Sequence, residues 1–139
     1  MEYRLNELTI TLPGTGWEDT SSHRLALPAP DGTRVTLEIR RDAPIAREAL
    51  AARVDADLKG HGRFQRGFEL LVREAFESTE LHGVRTSFRT VAPEGAIQHE
   101  VAYLPLSEVL LVFVARGTIT HARECGELLQ AAIESIRLR

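Results

Sequence analysis

Residues 97–115 read IQHEVAYLPLSEVLLVFVA. The positions from Ile97 to Tyr103 form a period-two set, which predicts a strand with one buried face. The segment from Pro105 to Glu108 predicts a turn. Residues 109–115 are apolar on both faces, a pattern typical of a central strand that is covered on both sides. The stretch therefore predicts two successive strands, the second of which lies in the middle of a sheet.

Further strands are predicted on either side of this stretch. Period-two sets occur in five more segments, which are 8–12, 23–27, 35–39, 68–72 and 84–88. The turn residues from Pro28 to Gly32 predict that the second and third of these segments form a hairpin. The second face of that hairpin is polar and of mixed charge. Its members are Ser22, Arg24, Ala26, Arg34, Thr36, Glu38 and Arg40.

Two helices complete the pattern. The first is predicted over about 44–59, with Asp42 as its N-cap and Gly60 as its stop. The second begins near His121 and places Cys125 on its apolar stripe. We therefore expect an α+β domain with a single twisted antiparallel sheet of about six or seven strands and two helices mainly on one face.

Length and charge narrow the class of protein. The chain has 139 residues and a net charge of −3, so we interpret residues 1–139 as a single domain. This charge does not indicate a nucleic-acid partner. The basic residues are 16 arginines and the single Lys59, a bias that we interpret as GC-rich bacterial coding.

The sequence also indicates a compartment. Cys125 is the only cysteine, so no internal disulfide can form and a reducing compartment is expected. The first residues lack the pattern of a secretion signal. The longest apolar run, 109–115, is shorter than the roughly 20 residues of a membrane-spanning helix. We therefore expect a cytoplasmic protein with no stable membrane insertion.

Few side chains are spaced for catalysis or metal binding. The five histidines fall in different segments, and the only spacing typical of ligands joins His121 to Cys125. A zinc site needs three or four ligands, and a catalytic thiol needs an exposed pocket with a positioned base. No metal, cofactor or catalytic residue is predicted, so we expect a binding protein. An enzyme would require Cys125 and His121 to open into a cleft beside another polar group.

The order of short motifs along the chain resembles a known family. These motifs include Tyr3-Arg4-Leu5-Asn6-Glu7, Trp17-Glu18-Asp19, Leu25-Ala26-Leu27-Pro28 and Ile39-Arg40-Arg41-Asp42. They are similar to motifs of the Eag family, small DcrB/PsbP-like proteins encoded beside type VI secretion effectors, for which they act as cytoplasmic chaperones. The resemblance covers essentially the whole chain.

This resemblance implies a homodimer whose sheets form a concave surface. Hydrophobic amino-terminal transmembrane segments of an effector would be held there until the effector is loaded onto the secretion spike. A segment of about 20 apolar residues aggregates in water unless it is covered. The positions that match the client-binding surface of the family are Ser22, Arg24, Ala26, Thr36, Glu38, Arg40, Ile97 and Glu100.

Charged residues among these positions are unexpected, because an unpaired charge against an apolar helix is costly. They are Arg24, Glu38, Arg40 and Glu100. These four could pair across neighbouring strands, the client could be less hydrophobic, the strand register could differ by one residue, or the face could simply be solvated. A second hypothesis for the chain is a DcrB/PsbP-like domain that binds a small molecule or a soluble partner without a role in secretion.

Overall fold

A computed structural model of the protein describes residues 2–4, 8–12, 18–21, 24–28, 34–77 and 81–138. The strands are β1 (Glu2–Arg4), β2 (Leu8–Thr11), β3 (Glu18–Ser21), β4 (Arg24–Pro28), β5 (Arg34–Asp42), β6 (Glu69–Glu77), β7 (His82–Ala92), β8 (Gly95–Pro105), β9 (Leu110–Thr118) and β10 (Arg137–Leu138). The helices are α1 (Leu50–Phe64) and α2 (Ala122–Glu134). Within the described residues, no helix has the length and apolar character needed to span a membrane.

Seven strands form an antiparallel sheet in the order β3-β4-β5-β9-β8-β7-β6. The strand predicted to be central, β9, has three strands on each side. The two strands of residues 97–115 pair as expected, with Val101 opposite Val114. The predicted hairpin is also present, with Leu25 opposite Leu37. The α+β class and its long antiparallel sheet are therefore confirmed.

The two helices cover opposite faces of this sheet, which we call the α1 face and the α2 face. The even-numbered residues of β9 from Leu110 to Val114 pack in one core with α1. The odd-numbered residues from Leu111 to Ala115 pack in a second core with α2. The sequence pattern had been interpreted as placing both helices mainly on one face. The structure instead places one helix on each face, which explains why β9 is apolar on both sides.

A small second sheet has the strand order β1-β2-β10. The first predicted strand, β2, belongs to this sheet and not to the large one. Its Ile10 and the following Leu12 are buried in the same core as α2. The backbone N–H of Thr11 donates to Ser135 Oγ at 2.8 Å, just after α2 ends. Strand β2 therefore packs beside α2.

The start of α1 differs from the prediction of 44–59. A 3₁₀ helix, Arg47–Ala49, leads directly into α1, and the residue that precedes it is Ala46, not Asp42. Asp42 ends β5, where its carboxylate accepts a hydrogen bond from Arg53 Nη2 at 2.6 Å. Asp42 therefore holds the side of α1 instead of capping its amino terminus.

The end of α1 also lies later than predicted. The helix passes through Gly60 and ends at Phe64. A helical glycine costs about 1 kcal/mol relative to alanine, which tertiary contacts can offset. The ring of His61, in the added turn, stacks on Phe88 with a centroid distance of 4.8 Å.

Candidate functional site

An open groove runs along the α1 face, beside the carboxyl-terminal half of α1. Two neighbouring cavities form it, and Gln65 lines both. The larger, of about 530 Å³, is lined by Arg34, Thr36, Gln65, Thr90, Ala92, Glu94, Ile97, His99, Arg116, Gly117 and Thr118. The smaller, of about 320 Å³, is lined by Arg40, Arg53, Ala56, Asp57, Gly60, His61, Phe64 and Gln65.

A buried histidine lies at the floor of the groove. His99 is 4% exposed, and its Nδ1 accepts a hydrogen bond from Arg116 Nε at 3.2 Å. Arginine can only donate, so the ring proton is assigned to Nε2. Nε2 then donates to Thr90 Oγ1 at 2.7 Å. Burial, Arg116 and His61 lower the pKa of His99 to about 4, so the ring is neutral near pH 7.

Phe88 lies between two histidine rings under α1. Its ring is 4.5 Å from that of His99, at an interplanar angle of 8°, and 4.8 Å from that of His61. Phe68 completes the cluster at 5.4 Å from Phe88. Burial lowers the pKa of His61 as well. These stacked rings join the helix to the groove floor.

Ionic contacts hold the groove side of α1 against the sheet. Arg53 contacts Asp42 of β5 at 2.6 Å and Asp57 of its own helix at 3.1 Å. The hydrogen bond to Asp42 raises the pKa of Arg53. Asp57 also accepts a hydrogen bond from the Tyr103 hydroxyl of β8 at 2.8 Å. The charged residues of α1 in the groove are therefore paired with one another or with the sheet.

Among the predicted client-binding positions, Thr36, Glu38 and Arg40 of β5 lie on the α1 face, because they alternate with the residues of β5 that pack in the core with α2. Arg24 is the pairing partner of Glu38, and Ala26 that of Thr36. Glu38 lies 3.6 Å from Arg40, so two of the four unexpected charges pair with each other. Thr36 and Ile97 line the larger cavity, and Arg40 lines the smaller. Ser22 lies outside the described residues.

Glu100 does not belong with these positions, because its side chain lies on the α2 face. Its Oε1 is 3.2 Å from the point where a Cβ on Gly126 of α2 would be. Burial raises the pKa of Glu100, against the hydrogen bond from Ser87 and the charge of Arg85. Successive residues of a strand alternate between faces, so Glu100 and Ile97 lie on opposite faces of the sheet.

Cys125 is fully buried in the core with α2. Burial, with Glu100 and Glu124 nearby, raises the pKa of its thiol to about 12. A thiol in this position is protonated and inaccessible, unlike a catalytic nucleophile. Among the residues that the structure describes, no group of three or more His, Cys, Asp or Glu side chains could hold a metal ion.

Sequence reasoning missed several residues of the groove. Gln65 follows a helix that was predicted to end earlier, and Thr90 lies beyond the predicted end of its strand at residue 88. Arg116 directly follows an apolar run and carries no signal of its own. His61 lies just beyond the predicted end of the helix at residue 59, although its spacing from Leu58 is that of the next turn of α1. The pairing of β7, β8 and β9, together with the packing of α1 on the sheet, brings these side chains together.

The chain is similar in sequence to one protein family and in structure to several solved proteins. A family model described as DcrB matches residues 7–136. PA94 of Pseudomonas aeruginosa has a similar structure, with a TM-score of 0.74 and 19% identity over 100% of this chain and 96% of that one. The cyanobacterial PsbP protein of Synechocystis also has a similar structure, with a TM-score of 0.65 and 11% identity over 100% of this chain and 92% of that one.

LpqN of Mycobacterium tuberculosis, a protein involved in cell envelope biogenesis, gives a TM-score of 0.62 and 14% identity over 94% of this chain and 83% of that one. No curated protein matches the sequence. At these identities, the similar structures show the fold alone.

Proposed function

The chain belongs to the DcrB family, and from this premise we propose that it is a binding protein that holds a hydrophobic amino-terminal segment of a type VI secretion effector in the groove on the α1 face. The protein acts as a cytoplasmic chaperone or adaptor, without catalysis, and presents the effector to the secretion spike. It works as a homodimer. The observation that carries the proposal is an open groove in which the charged side chains of α1, Arg53 and Asp57, are paired.

The side chains of α1 leave room for a helix. Ala56 and Gly60 line the groove one helical turn apart, and a Cβ added to Gly60 would meet no atom within 4 Å. Small residues let two helices approach closely. Phe64 is 82% exposed at the end of the same cavity and offers an apolar contact. An apolar client would thereby cover a large exposed aromatic side chain.

Charge pairing answers the main objection to an apolar client. An apolar segment that covers an unpaired charge loses the hydration of that charge without compensation. Here Arg53 is paired with Asp42 and Asp57, and Glu38 with Arg40. The paired groups retain a partner when water is excluded, so the cost of covering them is reduced.

Co-expression with the amino-terminal segment of the effector encoded beside the gene tests the proposal. We expect the segment to become soluble and to co-purify with the protein. Gly60→Leu adds a side chain in the open part of the groove and should lower the co-purified fraction several-fold. Gly62→Leu is the matched control, since its Cβ contacts only the Phe68 ring, at 3.6 Å. If the segment never co-purifies, or if both variants behave alike, the proposal fails.

Light scattering tests the oligomeric state separately. We expect the mass of a dimer, with or without the client segment. A monomer in both conditions would contradict the homodimer, and it would leave client binding to be decided by the co-expression result.

A further inference from the structure

The larger cavity of the groove brings two arginines together. Thr36 of β5 pairs with Arg116 of β9. Arg34 lies two residues before Thr36, so it shares the face of Arg116 and is its diagonal neighbour across the two strands. Both arginines line the cavity. An anion placed between them would be attracted by both guanidinium groups.

A contact with the buried His99 fixes the position of Arg116. Its Nε donates to Nδ1 of His99 at 3.2 Å, and the opposite nitrogen of that ring is hydrogen-bonded to Thr90. The neutral ring orients the guanidinium without adding charge. The cavity therefore contains a guanidinium held by a network that is already formed without a ligand.

The remaining lining residues favour an anion with a short apolar part. Glu94, in the turn after β7, is the one acidic side chain among the described residues that line this cavity, against two arginines. Thr36 contributes a hydroxyl that can donate a hydrogen bond. Ile97 and Ala92 form an apolar wall. The volume of about 530 Å³ falls in the range of small-molecule sites, about 300–1,000 Å³.

We propose that this cavity is a carboxylate-binding site, in which Arg34 and Arg116 contact the anionic oxygens and Ile97 contacts the apolar part of the ligand. Planar guanidinium groups match the geometry of a carboxylate. The carboxylate belongs either to a small organic acid or to an acidic side chain of a bound polypeptide. The site does not depend on the effector client, because its argument rests on the cavity alone.

Titration followed by amide NMR tests the site. Succinate is the probe for a small acid, and the peptides acetyl-Leu-Leu-Glu-amide and acetyl-Leu-Leu-Gln-amide are the probes for a side chain. We expect saturable shifts of the Gly117 and Thr118 amides with succinate, with the Glu peptide, or with both. Tighter binding of the Glu peptide than of both succinate and the Gln peptide identifies the polypeptide source, and tighter binding of succinate than of the Glu peptide identifies the small acid. Equal binding of the Glu and Gln peptides without binding of succinate would overturn the proposal.

Variants decide whether the arginines are responsible. Arg34→Gln and Arg116→Gln should each weaken binding about tenfold or more, as expected for the loss of a charge-assisted hydrogen bond. Arg34 is exposed, so its variant remains informative if Arg116→Gln disturbs His99. Arg123→Gln, on α2 and 88% exposed, is the control and should bind like the parent. Shifts that do not saturate, or equal binding by all three variants, would overturn the proposal.

Discussion

Replacement of Tyr103 by phenylalanine tests how α1 is held on the sheet. The Tyr103 side chain is 2% exposed, and its hydroxyl donates to Asp57 Oδ2 of α1 at 2.8 Å. Burial and this hydrogen bond raise the pKa of the hydroxyl, so it remains a donor across the physiological range. Tyr103→Phe keeps the ring and removes only the hydrogen bond.

The structure sets the size of the effect. A hydrogen bond to a charged group contributes about 1.5–3 kcal/mol. Asp57 keeps its contact with Arg53 at 3.1 Å and is 26% exposed, so the carboxylate is not left alone in the core. We therefore expect Tyr103→Phe to lower the free energy of unfolding by about 1–2 kcal/mol. For a chain of this length, that loss lowers the Tm by roughly 3–8 °C.

Urea unfolding followed by far-ultraviolet circular dichroism measures the loss. A double-mutant cycle with Asp57→Ala, which removes the acceptor, isolates the contact, and we expect a coupling energy of about 1 kcal/mol. Unfolding free energies equal to that of the parent within about 0.3 kcal/mol, or additive effects of the two substitutions, would refute the role of this contact.

Other buried polar groups give further predictions. Thr86 is fully buried, and its Oγ1 has no hydrogen-bond partner in the described part of the chain. Thr86→Val should therefore leave the free energy of unfolding unchanged or raise it by about 1 kcal/mol. A clear decrease of this free energy in urea unfolding would contradict the prediction. Glu100 binds its proton more tightly in the folded state, because burial raises its pKa above 4.5. Glu100→Gln should therefore stabilise the protein at pH 7, and the gain should disappear as the pH falls below 4.5; a gain independent of pH would contradict this. Folding lowers the pKa of His99 from 6.5 to about 4, so the unfolded state binds a proton at a higher pH than the folded state does. The free energy of unfolding therefore falls as the pH drops from 6.5 to about 4, by at most about 1.4 kcal/mol per pH unit for one proton. His99→Gln should flatten the profile between these values, and an unchanged slope would argue against a neutral buried ring.

Alternating patterns predicted the strands well because one buried face determines every second residue. The stretch 97–115 gave the two central strands and their order in the chain. The apolar run 109–115 also indicated that both faces of the sheet are covered. It did not indicate which helix covers which face, because an amphipathic helix fits either face of a sheet. On its face of the sheet, α1 packs in a hydrophobic core and makes contacts between Asp57 and Tyr103 and between Arg53 and Asp42, and these long-range contacts are not visible in any local sequence pattern.

The candidate site was predicted only in part. Strand alternation correctly grouped Thr36, Glu38 and Arg40, and the resemblance added Ile97. The same alternation separates Ile97 from Glu100, so a strict application of the rule would have excluded Glu100 from the groove. Gln65 and Thr90 come from segments whose ends were placed too early, since element boundaries depend on tertiary contacts.

The central strand β9 also affects how the molecule opens. Its alternate residues belong to two separate hydrophobic cores, and each of its edges is hydrogen-bonded to another long strand. Exposing the amides of β9 to solvent requires both cores to be disrupted, so their hydrogen exchange reports global unfolding. Helix α1 packs in only one of these cores, so we expect its amides to exchange through a local opening of lower free energy than the amides of β9.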